Sequence, residues 1–167
     1  MYQTGDTVMH PSEGVCTIVD VRSIRFSGND YRDYYVLRPS MEKGSGTVYL
    51  PVTRGDIVLR RLLSRQDILN MIHNSSDYTG LWSDDNRVRK DRFTAILREG
   101  NYAKLIRMIC EIHEHAALRI AEGKKLPSTD EHILSEAERL LHQEFAYVLK
   151  MSLEDTVQFI LKELNIR

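Results

Sequence analysis

The chain has 167 residues, which is enough for one ordinary domain or two small ones. Its 42% hydrophobic and 28% charged residues are typical of a folded globular protein and argue against a disordered one. The formal net charge of −1 excludes a general electrostatic attraction to nucleic acid or membranes. No apolar run reaches the roughly 18 residues of a membrane span. Since the start MYQTGD is also unlike a signal peptide, we predict a cytoplasmic protein.

The first sixty residues favour β-strands. The runs GDTVMHP, GVCTIVDVRSIRF, YRDYYVLRP and GTVYLPV are rich in Val, Ile, Thr and Tyr, and turn sequences separate them. Ile18, Val21 and Ile24 do not alternate strictly, which predicts a bulge in the second run. Short strands joined by tight turns predict a small, strongly bent barrel. Its exposed strand edge would suit the strand of a partner protein.

The pattern becomes helical from Ser64 onward. Ser64 with Asp67 predicts a capping box at the start of a short helix that ends near His73. The polar segment NSSDYTG is then predicted to be a linker. A second helix is expected from about Asn86 to Glu99.

Local capping signals predict the remaining helices. Gly100 suits the end of the second helix, and Asn101 suits the start of a third that EGKKLP terminates. Ser128 with Glu131 predicts a capping box for a fourth helix, and Ser152 with Asp155 predicts the start of a short last one. The expected fold is α+β, with a small barrel at residues 1–60, a short helix and linker at 61–80, and a helical domain at 81–167.

The segment LWSDDNRVRKDRF contains the only tryptophan of the chain, Trp82, followed by a run of basic residues. Residues 80–125 carry ten Lys and Arg against seven Asp and Glu, whereas residues 126–167 carry four against eight. Basic residues beside an aromatic side chain are common where proteins contact nucleic acid. The alternatives are that the basic run is a solvated helix face, and that Trp82 packs on Leu81 and Phe93 as a staple between linker and helix.

No signature of an enzyme, a metal site or a cofactor site is present in the sequence. The motifs GxxxxGK[ST], GxGxxG, HExxH and GxSxG are all missing. The cysteines Cys16 and Cys110 form no CxxC pair, so we expect two reduced, partly buried thiols. His113 and His115 point to different sides of a helix, which makes a poor metal site, and we expect both to be exposed to solvent.

The sequence resembles the CarD/CdnL family of bacterial transcription regulators. The similarity runs through GDTVMHPSEGVCTI, YYVL, VYLPV, Trp82, ILREGN and SEAERLLHQEFAYVL, in the order of the family. The spacing between Trp82 and ILREGN is similar to that of the Firmicutes-type form. The resemblance implies a Tudor-like barrel followed by a helical domain, and a factor without enzymatic activity.

The resemblance also implies two partners. The barrel would bind the β subunit of RNA polymerase, and the helical domain would contact promoter DNA at the upstream edge of the melted bubble, with Trp82 as a minor-groove wedge. The expected protein is a monomer that associates with the nucleoid through the polymerase. The predicted polymerase-binding residues are Arg22, Arg25, Tyr49, Leu50 and Pro51. The predicted DNA-binding residues are Trp82, Arg87, Arg89, Lys90, Arg92, Lys104, Lys124 and Lys125. A protein–protein adaptor without DNA contact is the alternative function, and an enzyme has little support.

Overall fold

A computed structural model of the chain describes residues 1–28, 30–40 and 46–165. The chain divides into two compact units, Met1–Leu63 and Ser64–Arg167. The first unit contains the strands and one short helix, and the second unit is helical. Within the described residues, no helix is both long enough and apolar enough to cross a membrane.

The first unit is built on a five-stranded antiparallel sheet. Its strands are β1 Thr7–His10, β2 Gly14–Ile24, β3 Arg32–Pro39, β4 Val48–Pro51 and β5 Arg60–Arg61. Their order across the sheet is β4-β3-β2-β1-β5. The predicted bulge in β2 is confirmed, because its register against β3 shifts between Ile18 and Asp20. Such a bulge bends a strand and increases its twist.

The sheet is not a closed barrel, which corrects the prediction. β4 and β5 form its two edges, and in the described part of the sheet neither pairs with the other. At Val52, which was predicted to continue the strand, helix α1 (Val52–Val58) begins instead. The chain passes from one edge strand to the other through α1. The sequence VTRGDIV gives little sign of a helix because it combines β-branched residues with a glycine.

The core of this unit surrounds the ring of Tyr35. Tyr35 is fully buried in a cluster of apolar residues: Val8, Cys16, Ile18, Leu37, Leu50 and Leu59. Its hydroxyl donates a 2.7 Å hydrogen bond to Oδ1 of Asp56 and accepts a 2.9 Å bond from the backbone N–H of Tyr2. The ring is therefore held both by packing and by its polar end.

The described residues of the second unit form five α-helices and a short 3₁₀ turn. They are α2 Arg65–Asn74, the 3₁₀ turn Ser75–Asp77, α3 Asn86–Glu99, α4 Tyr102–Ala121, α5 Ser128–Leu149 and α6 Leu153–Glu163. The segment NSSDYTG is not a free linker, since Ser75 is fully buried and its hydroxyl donates to the carbonyl of Ile72 over 2.6 Å. Tyr78 also accepts a 2.9 Å hydrogen bond from the side chain of Asn101.

Most of the predicted helix ends are confirmed. The Ser64 and Asp67 side chains form the reciprocal capping box, and Asn101 and Ser152 cap α4 and α6. Gly100 ends α3 with a left-handed φ of 73°, a conformation that glycine adopts at little cost. The capping box at Ser128 is wrong, because α5 begins one residue earlier and Pro127 occupies the cap position.

Each unit contains one fully buried cysteine. Cys16 lies in the core of the first unit and Cys110 in that of the second, whereas partial burial was expected. Burial raises the pKa of each thiol to about 11. Both thiols are therefore protonated and inaccessible in the folded protein at neutral pH, and each becomes reactive only when its own unit opens.

Candidate functional site

Trp82 lies in the segment that leads into α3, and it is half-buried. The imidazole of His115, on α4, stacks on the indole with 4.0 Å between ring centroids and 7° between planes. The guanidinium carbon of Arg89 lies 4.2 Å from the ring centroid, and Phe93 meets the indole edge-on at 6.2 Å. The indole Nε1 donates to Oδ1 of Asp84 over 3.2 Å. The ring is thus partly exposed, as predicted for a wedge, and also packed on Phe93, as predicted for a staple.

Three charged side chains hold the backbone on either side of this ring. Glu111 accepts a 2.7 Å hydrogen bond from the amide of Trp82. Arg92 donates to the carbonyl of Leu81 over 3.0 Å, and Arg89 donates to the carbonyl of Ser83 over 2.7 Å. Extended backbone in a loop needs such partners for its polar groups. The segment that carries Trp82 is therefore fixed before any ligand arrives.

Arg89 forms a buried ion pair with Asp130, at the start of α5. The two side chains are 3% and 2% exposed, and Nη2 and Oδ2 lie 2.6 Å apart. Nε donates to both carboxylate oxygens, at 3.0 and 3.2 Å, and Nη2 also donates to Asn86 over 2.7 Å. We refer to the contact between Arg89 and Asp130 as the α3–α5 latch. The prediction that Arg89 contacts phosphate is corrected here, because its guanidinium is inside the unit and already bonded.

Two further residues of the predicted basic face, Arg92 and Lys104, also bond to other groups within the unit. Arg92 is half-buried and uses its guanidinium on backbone carbonyls of the segment before α3. Lys104 is half-buried and forms a 2.9 Å ion pair with Glu99. It precedes His115 by eleven residues on α4, which is about 16 Å along a helix. The structure therefore does not bring Lys104 together with Trp82.

The exposed cations of the predicted face are Arg87, Lys90, Lys124 and Lys125. Arg87 and Lys90 are three residues apart on α3 and so share one side of the helix. They line a cleft of about 260 Å³ with Arg89 of the latch and with Pro127 and Thr129 at the start of α5. Lys125 is two residues before Pro127, which places its Cα within about 8 Å of the cleft wall. Among the described residues, no ion pair involves Arg87 or Lys90.

The two aspartates after Trp82, Asp84 and Asp85, each have a local role. Asp85 caps α3 by accepting hydrogen bonds from the amides of Arg87 and Val88, at 2.9 and 3.0 Å. Asp84 is exposed and accepts the indole N–H. The prediction that this pair fits the start of the helix is confirmed, and a carboxylate at that position also opposes the helix dipole favourably.

The first unit exposes aromatic rings at its β4 edge. Phe26 is 62% exposed and meets Tyr34 and Tyr49 edge-on, with centroids 5.1 and 5.6 Å apart. Tyr34 pairs with Arg22 on one side and with Pro51 on the other, and Tyr49 pairs with Val36. Opposed residues of a sheet point to the same face, so the three rings lie on the face away from Tyr35. We call Phe26, Tyr34 and Tyr49 the aromatic edge.

The other residues predicted to bind the polymerase divide between the surface and the core. Arg22 and Arg25 are exposed, and Arg22 pairs with Asp20 over 2.5 Å. Leu50 is only 8% exposed and packs in the core, so its side chain is not available to a partner, which corrects that prediction. Pro51 is half-buried, and it lacks the N–H that an added strand would need.

The residues that complete the tryptophan site were missed in the sequence. His115 and Glu111 lie on α4 and Asp130 on α5, far along the chain from Trp82. His115 and His113 are half-buried rather than exposed, and His113 lies 2.7 Å from Glu138. The one available signal was the presence of Glu111 and Asp130 at positions where an apolar residue would be expected to pack. A buried acid usually has a basic partner.

Comparison with known proteins agrees with the strand pattern of the first unit. The family model of the CarD-like/TRCF RID domain matches residues 2–63. The protein named "Putative transcription factor YdeB" of Bacillus subtilis (strain 168) is 27% identical over 146 residues, which cover 83% of this chain and 91% of that protein. The domain match and a relative that extends along most of both chains support the resemblance to the CarD/CdnL family of transcription regulators.

Proposed function

We propose that this protein regulates transcription by binding the RNA polymerase β subunit through its first unit and promoter DNA through its second. The DNA contact is at the upstream edge of the melted bubble, and Trp82 is the residue inserted in the minor groove. The observation that carries the proposal is the presentation of Trp82. The only tryptophan of the chain is partly exposed, on a segment fixed by Glu111, Arg89 and Arg92, beside exposed cations.

An apolar wedge acts on DNA through a difference in affinity between two states. A promoter opens at steps that unstack easily, and a side chain inserted in the minor groove supports the distorted step. Since the wedge binds the open form better than the closed form, it shifts the equilibrium toward the open complex. A difference of about 1.4 kcal/mol shifts that equilibrium tenfold. A fixed wedge also loses little conformational entropy on binding.

The exposed cations account for the phosphate contacts in this proposal. Arg87 and Lys90 lie on one side of α3, and Lys124 and Lys125 lie in the turn before α5. Because Arg89 and Arg92 are bonded inside the unit, few cations remain for DNA, and the affinity for DNA alone should be weak. Binding to the polymerase would supply the high local concentration that a weak second contact needs.

The aromatic edge is the proposed polymerase contact. β4 is an edge strand of the sheet formed by the described residues, and an edge strand can pair with an added strand, here one of the β subunit. Phe26 and Tyr49 stand beside that edge, and aromatic residues are enriched where protein interfaces are strongest. The exposed Arg22 and Arg25 would contact acidic groups around it.

One observation favours the alternative function, an adaptor that joins two proteins without touching DNA. Two of the four basic residues in the run after Trp82 are used inside the unit, which leaves a modest positive surface. The substitutions below separate the two functions, since an adaptor would keep its activity when the exposed cations are neutralised.

Replacing Trp82 tests the wedge directly. We expect Trp82→Ala to leave polymerase binding intact and to shorten the lifetime of the open complex about tenfold, measured by dissociation in the presence of competitor DNA. The free energy of unfolding should fall by only about 1–2 kcal/mol, because the ring is half-buried, whereas a fully buried tryptophan would cost about 3–5 kcal/mol. Tyr147→Ala, which removes an exposed ring of α5, is the control. If the variant folds and binds the polymerase but the lifetime of the open complex is unchanged, the wedge is refuted.

Neutralising the exposed cations of α3 tests the phosphate contacts. We expect Arg87→Gln and Lys90→Gln each to reduce the slope of log affinity against log salt by about one unit, equally for all promoter sequences. Arg98→Gln is a matched control, because Arg98 is exposed on the same helix but lies eleven residues beyond Arg87, about 16 Å away. If a variant keeps the wild-type slope, the replaced residue does not contact phosphate. An unchanged slope in both variants would favour the adaptor.

The aromatic edge is tested by a double substitution. We expect Tyr49→Ala with Arg25→Glu to weaken co-purification with core RNA polymerase by at least about tenfold, since it removes one ring and reverses one charge. Both side chains are exposed, so the melting temperature should stay within a few degrees of the wild type. Arg61→Glu, on the opposite edge strand β5, is the control. Normal co-purification of the double variant would exclude this surface.

A further inference from the structure

His115 contacts Trp82 but has no role in the function proposed above. Its position two residues after His113 on α4 directs the two rings to different partners. His113 approaches Glu138 of α5, whereas His115 lies flat on the indole of Trp82, with centroids 4.0 Å apart and planes within 7° of parallel. Near-parallel rings at this separation are in face-to-face contact, so the imidazole lies against one face of the indole.

The other contacts of Trp82 fix its backbone more firmly than its ring. Glu111 bonds to the amide of Trp82, and Arg92 and Arg89 bond to neighbouring carbonyls. These bonds would survive a rotation of the side chain. The ring itself is oriented by the edge of Phe93, the guanidinium of Arg89, a 3.2 Å hydrogen bond to exposed Asp84, and the stacked imidazole.

We propose that His115 is a positioning residue for Trp82: the stacked imidazole holds the indole in the orientation that enters promoter DNA. This inference rests on the proposed function, because it names the residue that makes the wedge rigid. With His115 in place, the ring loses little rotational freedom when DNA binds. Without it, the indole samples other rotamers and spends less time in the binding orientation, so the open complex dissociates faster.

The opposite role is also chemically reasonable and gives the opposite result. If the imidazole blocked a face on which a DNA base must stack, its removal would free Trp82 and lengthen the lifetime of the open complex. The half-buried position of the indole favours positioning, since contacts on the ring by His115, Phe93 and Arg89 leave a limited part of it to approach DNA. That limited part suits a wedge better than a flat platform for a base.

The experiment compares His115→Ala with His115→Phe in the full-length protein. Alanine removes the stack, and phenylalanine keeps a planar ring. We expect His115→Ala to shorten the open-complex lifetime about two- to tenfold and His115→Phe to restore it to within about twofold of the wild type. Because Trp82 is the only tryptophan, its fluorescence reports on the ring. Acrylamide should quench it faster in His115→Ala and at the wild-type rate in His115→Phe. His132→Ala, at an exposed histidine on α5, is the control for loss of an imidazole.

Each result has one meaning when Trp82→Ala is measured alongside. If Trp82→Ala shortens the lifetime and His115→Ala leaves it unchanged or lengthens it, positioning by His115 is wrong and the wedge stands. If quenching of Trp82 is the same in His115→Ala and wild type, positioning is also wrong. If Trp82→Ala has no effect on the lifetime, the proposed function fails, and the inference fails with it. A shortened lifetime in His115→Ala that phenylalanine does not restore also overturns positioning by the stack.

Discussion

Breaking the α3–α5 latch should lower the stability of the second unit more than any other single change to its charged residues. We expect Arg89→Met and Asp130→Leu each to lower the free energy of unfolding by about 3–5 kcal/mol, because each leaves the other charge buried without its partner. That is a large share of the roughly 5–15 kcal/mol by which a typical domain is stable. Urea unfolding followed by the fluorescence of Trp82 measures it, since the ring lies 4.2 Å from the Arg89 guanidinium carbon.

A double variant shows whether the pair itself matters. Removing both charges in Arg89→Met with Asp130→Leu leaves no uncompensated charge, so the loss should be clearly smaller than the sum of the two single losses. The double variant still loses the bonds from Arg89 to Ser83 and Asn86, so it should not recover fully. Arg98→Met, the same substitution at an exposed position of α3, is the control and should stay within about 0.5 kcal/mol of the wild type. Additive losses, or single losses below about 1 kcal/mol, would contradict the assignment.

The latch also links stability to the candidate site. Arg89 bonds to Asp130, to the carbonyl of Ser83 and to Asn86, and it lies against the indole. One buried guanidinium therefore ties the start of α5 to the segment that carries Trp82. For that reason, variants of Arg89 would lose activity through the position of Trp82 and not through a phosphate contact, and salt dependence separates the two explanations.

The helices could be predicted because their signals are local. The side chains that cap α2, α4 and α6 lie within three residues of the amides they bind, and Gly100 ends α3 by its own conformation. The capping box at Ser128 was wrong by one position, because the helix already begins at Ser128. Pro127 takes the cap position, and Asp130 in the first turn is bonded to Arg89, a residue 41 positions earlier in the chain.

The candidate site could be predicted only in part. The pairing of an aromatic residue with a basic run drew attention to the segment around Trp82, but the run by itself does not show which of its arginines is buried. The run was interpreted as either a phosphate-binding face or a solvated face, and Arg89 belongs to neither. His115 and Glu111 come to Trp82 from about 30 residues away, through the packing of α3 on α4, and such contacts are invisible to a periodicity argument.

The open sheet was missed for a similar reason. α1 has a sequence that disfavours a helix, and its glycine is explained only by a contact with another element. A Cβ on Gly55 would lie 2.5 Å from Cδ2 and 2.7 Å from Cε2 of Tyr35, well inside the normal separation of about 3.5–4.0 Å between carbon atoms. Residue 55 has no side chain because the ring of Tyr35 occupies the space.

Replacing this glycine should therefore destabilise the first unit. In an unobstructed helix, Gly→Ala would stabilise by about 1 kcal/mol. At Gly55 the clash should outweigh that gain, since overpacking a core costs about 1–3 kcal/mol and sometimes more. The Tyr35 ring cannot retreat easily, because it is fully buried and its hydroxyl is bonded to Asp56 and to the backbone of Tyr2. We expect a net loss of stability in Gly55→Ala, and Gly46→Ala, with nothing within 4 Å of its Cβ, is the matched control.

The two buried thiols make it possible to see which unit a substitution destabilises. Cys16 shares a core with Tyr35, and Cys110 lies in the other unit. Alkylation resolved by mass spectrometry should be faster at Cys16 in Gly55→Ala and unchanged at Cys110, whereas Arg89→Met should give the reverse pattern. The rates should rise with pH up to about 11 wherever opening is fast, because the thiolate is the reactive form. If Cys16 is alkylated at the wild-type rate in Gly55→Ala, α1 moves aside without cost. The ring of Tyr35 is then not what excludes a side chain at this position.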